Sequence, residues 1–148
     1  MTPAKKRKAR PNREMLSRYG LVTSWDISCH ARAQGGKALE TRSRDESNYL
    51  KIHGTLTEAV NGVVAFDSQI TGSQDPMVGR SEIACVGAII AMRPAVFAGV
   101  DLSLEQFNTL LAVACSGRLK SFHLSFQTPH YGKSLIASIS FYTSEPEG

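Results

Sequence analysis

The spacing of apolar side chains changes character near Asn48. Beyond that point apolar and polar positions mostly alternate with a period of two, as strands with one wet face require. In residues 49–56, Leu50, Ile52 and Leu56 fall on one face, and Lys51, His53 and Thr55 on the other. Residues 63–70 repeat the pattern, with Val64, Phe66 and Ile70 set against Asp67 and Gln69. Asn61-Gly62 between the two runs is the dipeptide of a two-residue hairpin turn. After a polar loop over residues 71–79, residues 83–92 are apolar on both faces, which predicts a central strand covered on both sides. Arg93-Pro94 ends it, and residues 95–100 supply another short strand.

One segment has a helical period instead. Ser103 followed by Gln106 forms a capping box, and Leu102 with Phe107 forms a hydrophobic staple across the same helix start. Leu104, Phe107, Leu110, Leu111 and Ala114 then share one face, and Gly117 supplies a left-handed stop, so a helix is predicted over about residues 103–116. The chain finishes with two alternating runs, Phe122/Leu124/Phe126 and Leu135/Ala137/Ile139/Phe141, joined as a hairpin through residues 128–132, and residues 144–148 are expected to fray. Strands with one helix predict an α+β, mainly β fold: an antiparallel sheet or two-layer β-sandwich with one packed helix. Parallel βαβ winding is not expected, because only one connection is long enough to hold a crossover helix.

Charge divides the chain at the same place. The 148 residues carry a net charge of +4, but residues 1–46 hold eleven Lys+Arg and five Asp+Glu, and residues 47–148 hold six and eight. A segment of net +6 is joined to a body of net −2. With 15 apolar residues in 46, the first segment buries too little to offset its ordering entropy, so it reads as a basic, largely flexible arm ahead of a compact β-rich domain over 47–148. Within the arm, Asn12 caps a short helical turn bearing Met15, Leu16 and Tyr19, and Leu21, Thr23, Trp25, Ile27 and Cys29 alternate as a brief strand. Trp25, the only tryptophan, docks either on the domain, which is the simpler reading, or on another subunit.

The cysteines Cys29, Cys85 and Cys115 are odd in number and widely spaced, which implies a reducing compartment and no disulfide framework. Cys85 and Cys115 lie in apolar runs, where buried, inert thiols are expected. No apolar run is long enough to span a membrane, and none follows Lys5 as a signal peptide would require.

Tests for chemistry return little. Gly132-Lys133-Ser134 matches the end of a phosphate-binding loop, but Gln127 stands where the earlier glycine is needed and a strand follows instead of a helix. There is no G-x-S-x-G elbow and no H-E-x-x-H pair. His123 and His130, with Tyr131 beside the latter, are the candidate ligand or surface site, with His130 at a hairpin tip. Nothing in the spacing of His30, His53, His123 and His130 forces the convergence a metal needs, so neither metal nor cofactor is expected. The acidic residues fall mostly in turns, strand margins and the helix start, where solvation and capping account for them. Lys5, Lys6, Arg7, Lys8, Arg10 and Arg13, with no acidic residue before Glu14, are the candidate nucleic-acid contacts, suited to salt-sensitive, sequence-independent binding of phosphate backbones.

At Val86-Gly87-Ala88-Ile89-Ile90, and at Leu124-Ser125-Phe126 followed by Pro129-His130-Tyr131-Gly132, the chain resembles short bacterial proteins of unknown function. The resemblance covers the domain alone. It implies a bacterial source and a cytoplasmic location, and it carries over no site. The expected function is that of a non-enzymatic small binding module, with an unknown protein partner or self-association. The alternatives are an accessory nucleic-acid-binding protein using the basic arm, and a small enzyme with its site near the last hairpin.

Overall fold

A computed structural model describes residues 14–33, 44–73 and 85–145. Seven strands and one helix follow in the order β1 (Met15–Ala33), β2 (Arg44–Val60), β3 (Val63–Ser73), β4 (Gly87–Ala91), β5 (Val96–Ser103), α1 (Leu104–Cys115), β6 (Ser121–Gln127) and β7 (Ser134–Tyr142). The protein is mainly β with one helix, as the periodicity predicts. Its strands join as a closed barrel in the order β1-β2-β3-β5-β4-β7-β6, with β6 returning to β1. Closure replaces the expected open sheet or sandwich. β3 and β5 run parallel, and every other neighbouring pair is antiparallel. The crossover between the parallel strands carries a strand, β4, where a βαβ unit has a helix.

Three hairpin-scale features follow from local chemistry. Asn61 and Gly62 both adopt positive φ, +50° and +79°, the backbone that a two-residue turn between twisted strands requires. The Ser103 hydroxyl accepts the Gln106 backbone N–H at 3.2 Å, and α1 buries Phe107, Leu110 and Ala114, as the capping box and helical spacing predict. Gly117, at φ +74°, follows the helix end.

Inside the barrel, Leu50, Ile52, Phe66, Ile70, Phe122, Leu124, Phe126 and Ile136 are almost completely buried. Phe66 and Phe122 stack with ring centroids 4.5 Å apart. The Phe122 ring lies over Gly20 of β1 and Gly54 of β2, where a Cβ would meet the ring directly.

Several expectations are corrected by closure. The segment ahead of Asn48 is not an arm over its described part: Met15–Ala33 is one 19-residue strand, and Met15, Leu16 and Tyr19 pair with β6 and form no helix. Residues 31–33 and 44–46, expected to lie in a largely flexible arm, belong to β1 and β2. Pairing of β1 with β2 over these residues offsets ordering entropy through backbone hydrogen bonds that composition does not register. Trp25 packs against the hydrophobic core, in line with the simpler reading. Val64 is exposed while Val63 is buried, because the β2–β3 register shifts between Thr55 and Val60 and the alternation slips with it. The same device in β7, where Phe126 pairs with Ile136 and Ser125 with Ser138, leaves Ala137 as a bulge. Ile136 therefore points inward, and Leu135 and Ala137 outward. The described part of the run over 83–92, residues 85–92, is not covered on both sides: β4 spans Gly87–Ala91, and Ile90 is 61% exposed, since a barrel wall has a single inner face. Cys115 is exposed and Cys85 half-buried, so neither is the buried thiol expected.

Candidate functional site

The barrel wall is built from strands of unequal length, and a cleft opens where that inequality is large. β4 has five residues and pairs with β7 only over Ser134–Ile136, with Val86 N–H adding one bond to the Ile136 carbonyl. Past Ile136, among the described residues, the edge of β7 that faces away from β6 has no strand beside it. The helix lies across this gap, because β5 ends at Ser103 and runs straight into α1. Between α1 and the end of β7 lies a cleft of about 560 Å³. Its apolar lining is Leu102, Leu110, Val113, Ile139 and Phe141, and its polar rim is Ser103, Glu105, Gln106, Thr109 and Thr143.

Two rim hydroxyls are already engaged within the helix. Ser103 caps it, and Thr109 donates to the Glu105 carbonyl at 3.1 Å. Among the described residues, Glu105 is the one titratable side chain in the lining. The arrangement can bind an apolar group and orient it against a polar rim.

A second cluster stands on the outer wall, where Asp26 of β1, His53 of β2 and Asp67 of β3 meet across three adjacent strands. His53 Nδ1 lies 2.5 Å from Asp67 Oδ1, and Nε2 lies 3.3 Å from Asp26 Oδ2. The Asp67 carboxylate raises the His53 pKa above its ordinary value, burial opposes this in part, and Asp26 adds to the rise. A carboxylate beside each nitrogen favours the protonated form of the ring. A catalytic histidine needs its second nitrogen free for a nucleophile or a water, and here Asp26 occupies that place. The cluster is an electrostatic strap across three strands. Among the described residues, no group of three or more His, Cys, Asp or Glu is arranged to hold a metal ion.

The sequence candidates are dispersed. His123 sits half-buried on β6 against Tyr19 of β1, ring centroids 4.5 Å apart. His130 and Tyr131 lie at the last hairpin tip with their rings 4.4 Å apart, and Tyr131 is 92% exposed at a φ of +52°. The structure does not gather His123, His130 and Tyr131 into a concave site, and none of them lines the cleft. Lys5, Lys6, Arg7, Lys8, Arg10 and Arg13 lie outside the described residues.

Sequence reasoning misses both places that the fold builds. The cleft depends on the shortness of β4, which an apolar run over residues 83–92 conceals. The strap depends on the β2–β3 register, which the turn alone places differently. No described helix is long and apolar enough to cross a membrane. No protein-family model, no curated protein and no solved structure matches this chain.

Proposed function

We propose that this protein is a non-enzymatic binding module, and that the cleft between α1 and β7 receives an extended, apolar segment of a partner protein. The observation that carries the reading is the coincidence of an apolar floor with a strand edge. Ile139 and Phe141 alternate along β7 beside the part of its edge that β4 leaves unpaired. A peptide laid along that edge gains main-chain hydrogen bonds, and its alternate side chains enter the cleft against Leu110 and Val113. A compact small-molecule ligand uses the apolar floor but not the edge, so the extended segment accounts for more of the geometry.

Three widely spaced cysteines without a disulfide framework fit a reducing, cytoplasmic setting. A second reading, contact with a nucleic-acid duplex through Lys5, Lys6, Arg7, Lys8, Arg10 and Arg13, rests on the charge of residues 1–13.

Selection from a phage-displayed random peptide library tests the cleft. Peptides with alternating apolar residues should be enriched on the wild-type protein and lost on Val113→Glu, which places a charge on the cleft floor. Failure to enrich any peptide, or enrichment that V113E leaves unchanged, refutes the reading.

A further inference from the structure

β1 is the longest strand, and only its first part is paired on both sides. It pairs with β6 over Met15–Leu21, and Val22 N–H adds a bond to the Lys120 carbonyl. A bulge at Thr23 follows, and from Ser24 to Ala33 β1 pairs with β2 alone. β2 in turn pairs with β3 no earlier than Tyr49. The ends of β1 and β2 therefore project past the barrel wall as a two-stranded ribbon. Its outer edge, among the described residues, offers unpaired backbone from Ser24 to Ala33.

Exposed edges are normally protected by proline, by lysine, by glycine kinks or by shortness. Residues 23–33, TSWDISCHARA, contain no proline, lysine or glycine, and their only charged side chains are Asp26 and Arg32. On one face Ile27 is 40% exposed, with Cys29 and Ala31 also exposed beside it. On the other face stand Asp26, whose side chain is 69% exposed, and the exposed His30 and Arg32.

We infer that this edge pairs with the same edge of a second copy of the chain, antiparallel about a twofold axis at Cys29. The register follows from symmetry and charge. Two identical antiparallel edges match both faces and hydrogen-bonding groups only when the twofold passes through a residue. A twofold at Asp26 sets Asp26 against itself, and one at Arg32 does the same for Arg32. A twofold at Cys29 sets Asp26 opposite Arg32 of the second copy, twice by symmetry, and Ile27 opposite Ala31. Ser28 then faces His30, and the two Cys29 residues face one another. Directly opposed side chains in such a pair have Cβ atoms about 5 Å apart, close enough for both ion pairs and for a thiol–thiol cross-link. The two ribbons become one four-stranded sheet that covers Ile27. This surface uses residues different from those of the cleft, so the inference stands or falls independently of the peptide-binding reading.

Sedimentation equilibrium of the full chain from about 1 µM to about 200 µM tests association in the range where a modest interface is populated. Asp26→Arg replaces two attractive pairs with two repulsive ones and should weaken the dimer at least about tenfold. The double swap D26R/R32D should restore it. The swap keeps the loss of the Asp26–His53 contact, so restoration cannot come from a merely structural role. Ile27→Lys, with circular dichroism to verify the fold, should also give a monomer. On the unaltered protein, diamide oxidation should yield a covalent dimer that forms in C115S but not in C29S. A monomer throughout the range overturns the inference, whether the edge is bare or pairs with a strand of another protein. A dimer indifferent to D26R and I27K, or one cross-linked only through Cys115, also overturns it.

Discussion

Gly20→Ala isolates the contact on which barrel closure depends. Gly20 lies on β1 directly opposite Phe122 of β6, across the seam where the first strand meets the last pair of the barrel. A Cβ at Gly20 lies 2.5 Å from Phe122 Cε1 and nearer still to Cζ. Ordinary carbon–carbon contact is about 3.5–4.0 Å, so the ring must move by about 1 Å or more. It has nowhere to go. Phe122 has no exposed surface, stacks on Phe66 and sits over Gly54, whose Cβ position is only 2.7 Å from the same Cε1. Overpacking of this kind costs about 1–3 kcal/mol. A loss of 2 kcal/mol in a domain of this size lowers Tm by roughly 4–8 °C and moves the urea midpoint by about 1 M. Urea unfolding followed by circular dichroism reads the change. The double variant G20A/F122L separates steric conflict from any helix or strand preference of alanine. Phe122→Leu alone should destabilise by leaving a cavity, and the pair should cost less than the two single effects together by about 0.5–3 kcal/mol. If G20A unfolds at the wild-type midpoint, or if the two substitutions simply add, the contact does not limit closure.

The raised pKa of His53 gives stability a defined pH sense. A group whose pKa is higher in the folded state stabilises fully below its unfolded value of about 6.5 and loses that contribution as pH rises through the folded value. The urea midpoint of the wild type should therefore fall from pH 6 towards pH 8.5 relative to His53→Gln. The difference should stay under about 1 kcal/mol, because the strap is partly open to solvent. A difference that is constant across this range, or that grows, refutes the raised His53 pKa. Removing residues 1–13 should abolish low-salt binding of the full chain to a short DNA duplex in an anisotropy titration, because six of its cations lie there. An unchanged titration rejects the second reading.

The elements were legible in the sequence wherever the reporting chemistry was local. Ser103, Gln106 and Gly117 mark the helix, and Asn61-Gly62 marks the first tight turn, because capping and positive φ depend on neighbours a few residues away. What depended on bulges was not legible. A two-residue turn at 61–62 in unbroken register would place His53 opposite Ile70. In the structure residues 56–59 of β2 stand against Val64 alone, and the three-residue slip brings His53 opposite Asp67. Asp26 arrives from β1, where alternation over residues 21–29 marks a brief strand but indicates neither its 19-residue length nor its pairing with β2. The strap is thus composed of three residues that sequence pattern assigns to unrelated positions. The cleft is hidden for a comparable reason: apolar character over residues 83–92 says nothing about where β4 stops pairing.

Unequal strand length connects these findings. A closed barrel removes sheet edges only as far as its shortest strands reach. β4, with five residues, cannot follow β7 past Ile136, and β6, with seven, cannot follow β1 past Leu21. Among the described residues, backbone is left unpaired for that reason at both places, and apolar side chains accompany it, Ile139 and Phe141 at one and Ile27 at the other. Asp26, His53 and Asp67 link β1 to β2 and β2 to β3 where those strands pair, and at Asp26 β2 is the one neighbour of β1 among the described residues. The proposed partners, a peptide at β7 and a second copy at β1, would find backbone to pair with at these two stretches, and Asp26 belongs both to the charged cluster and to the second of them.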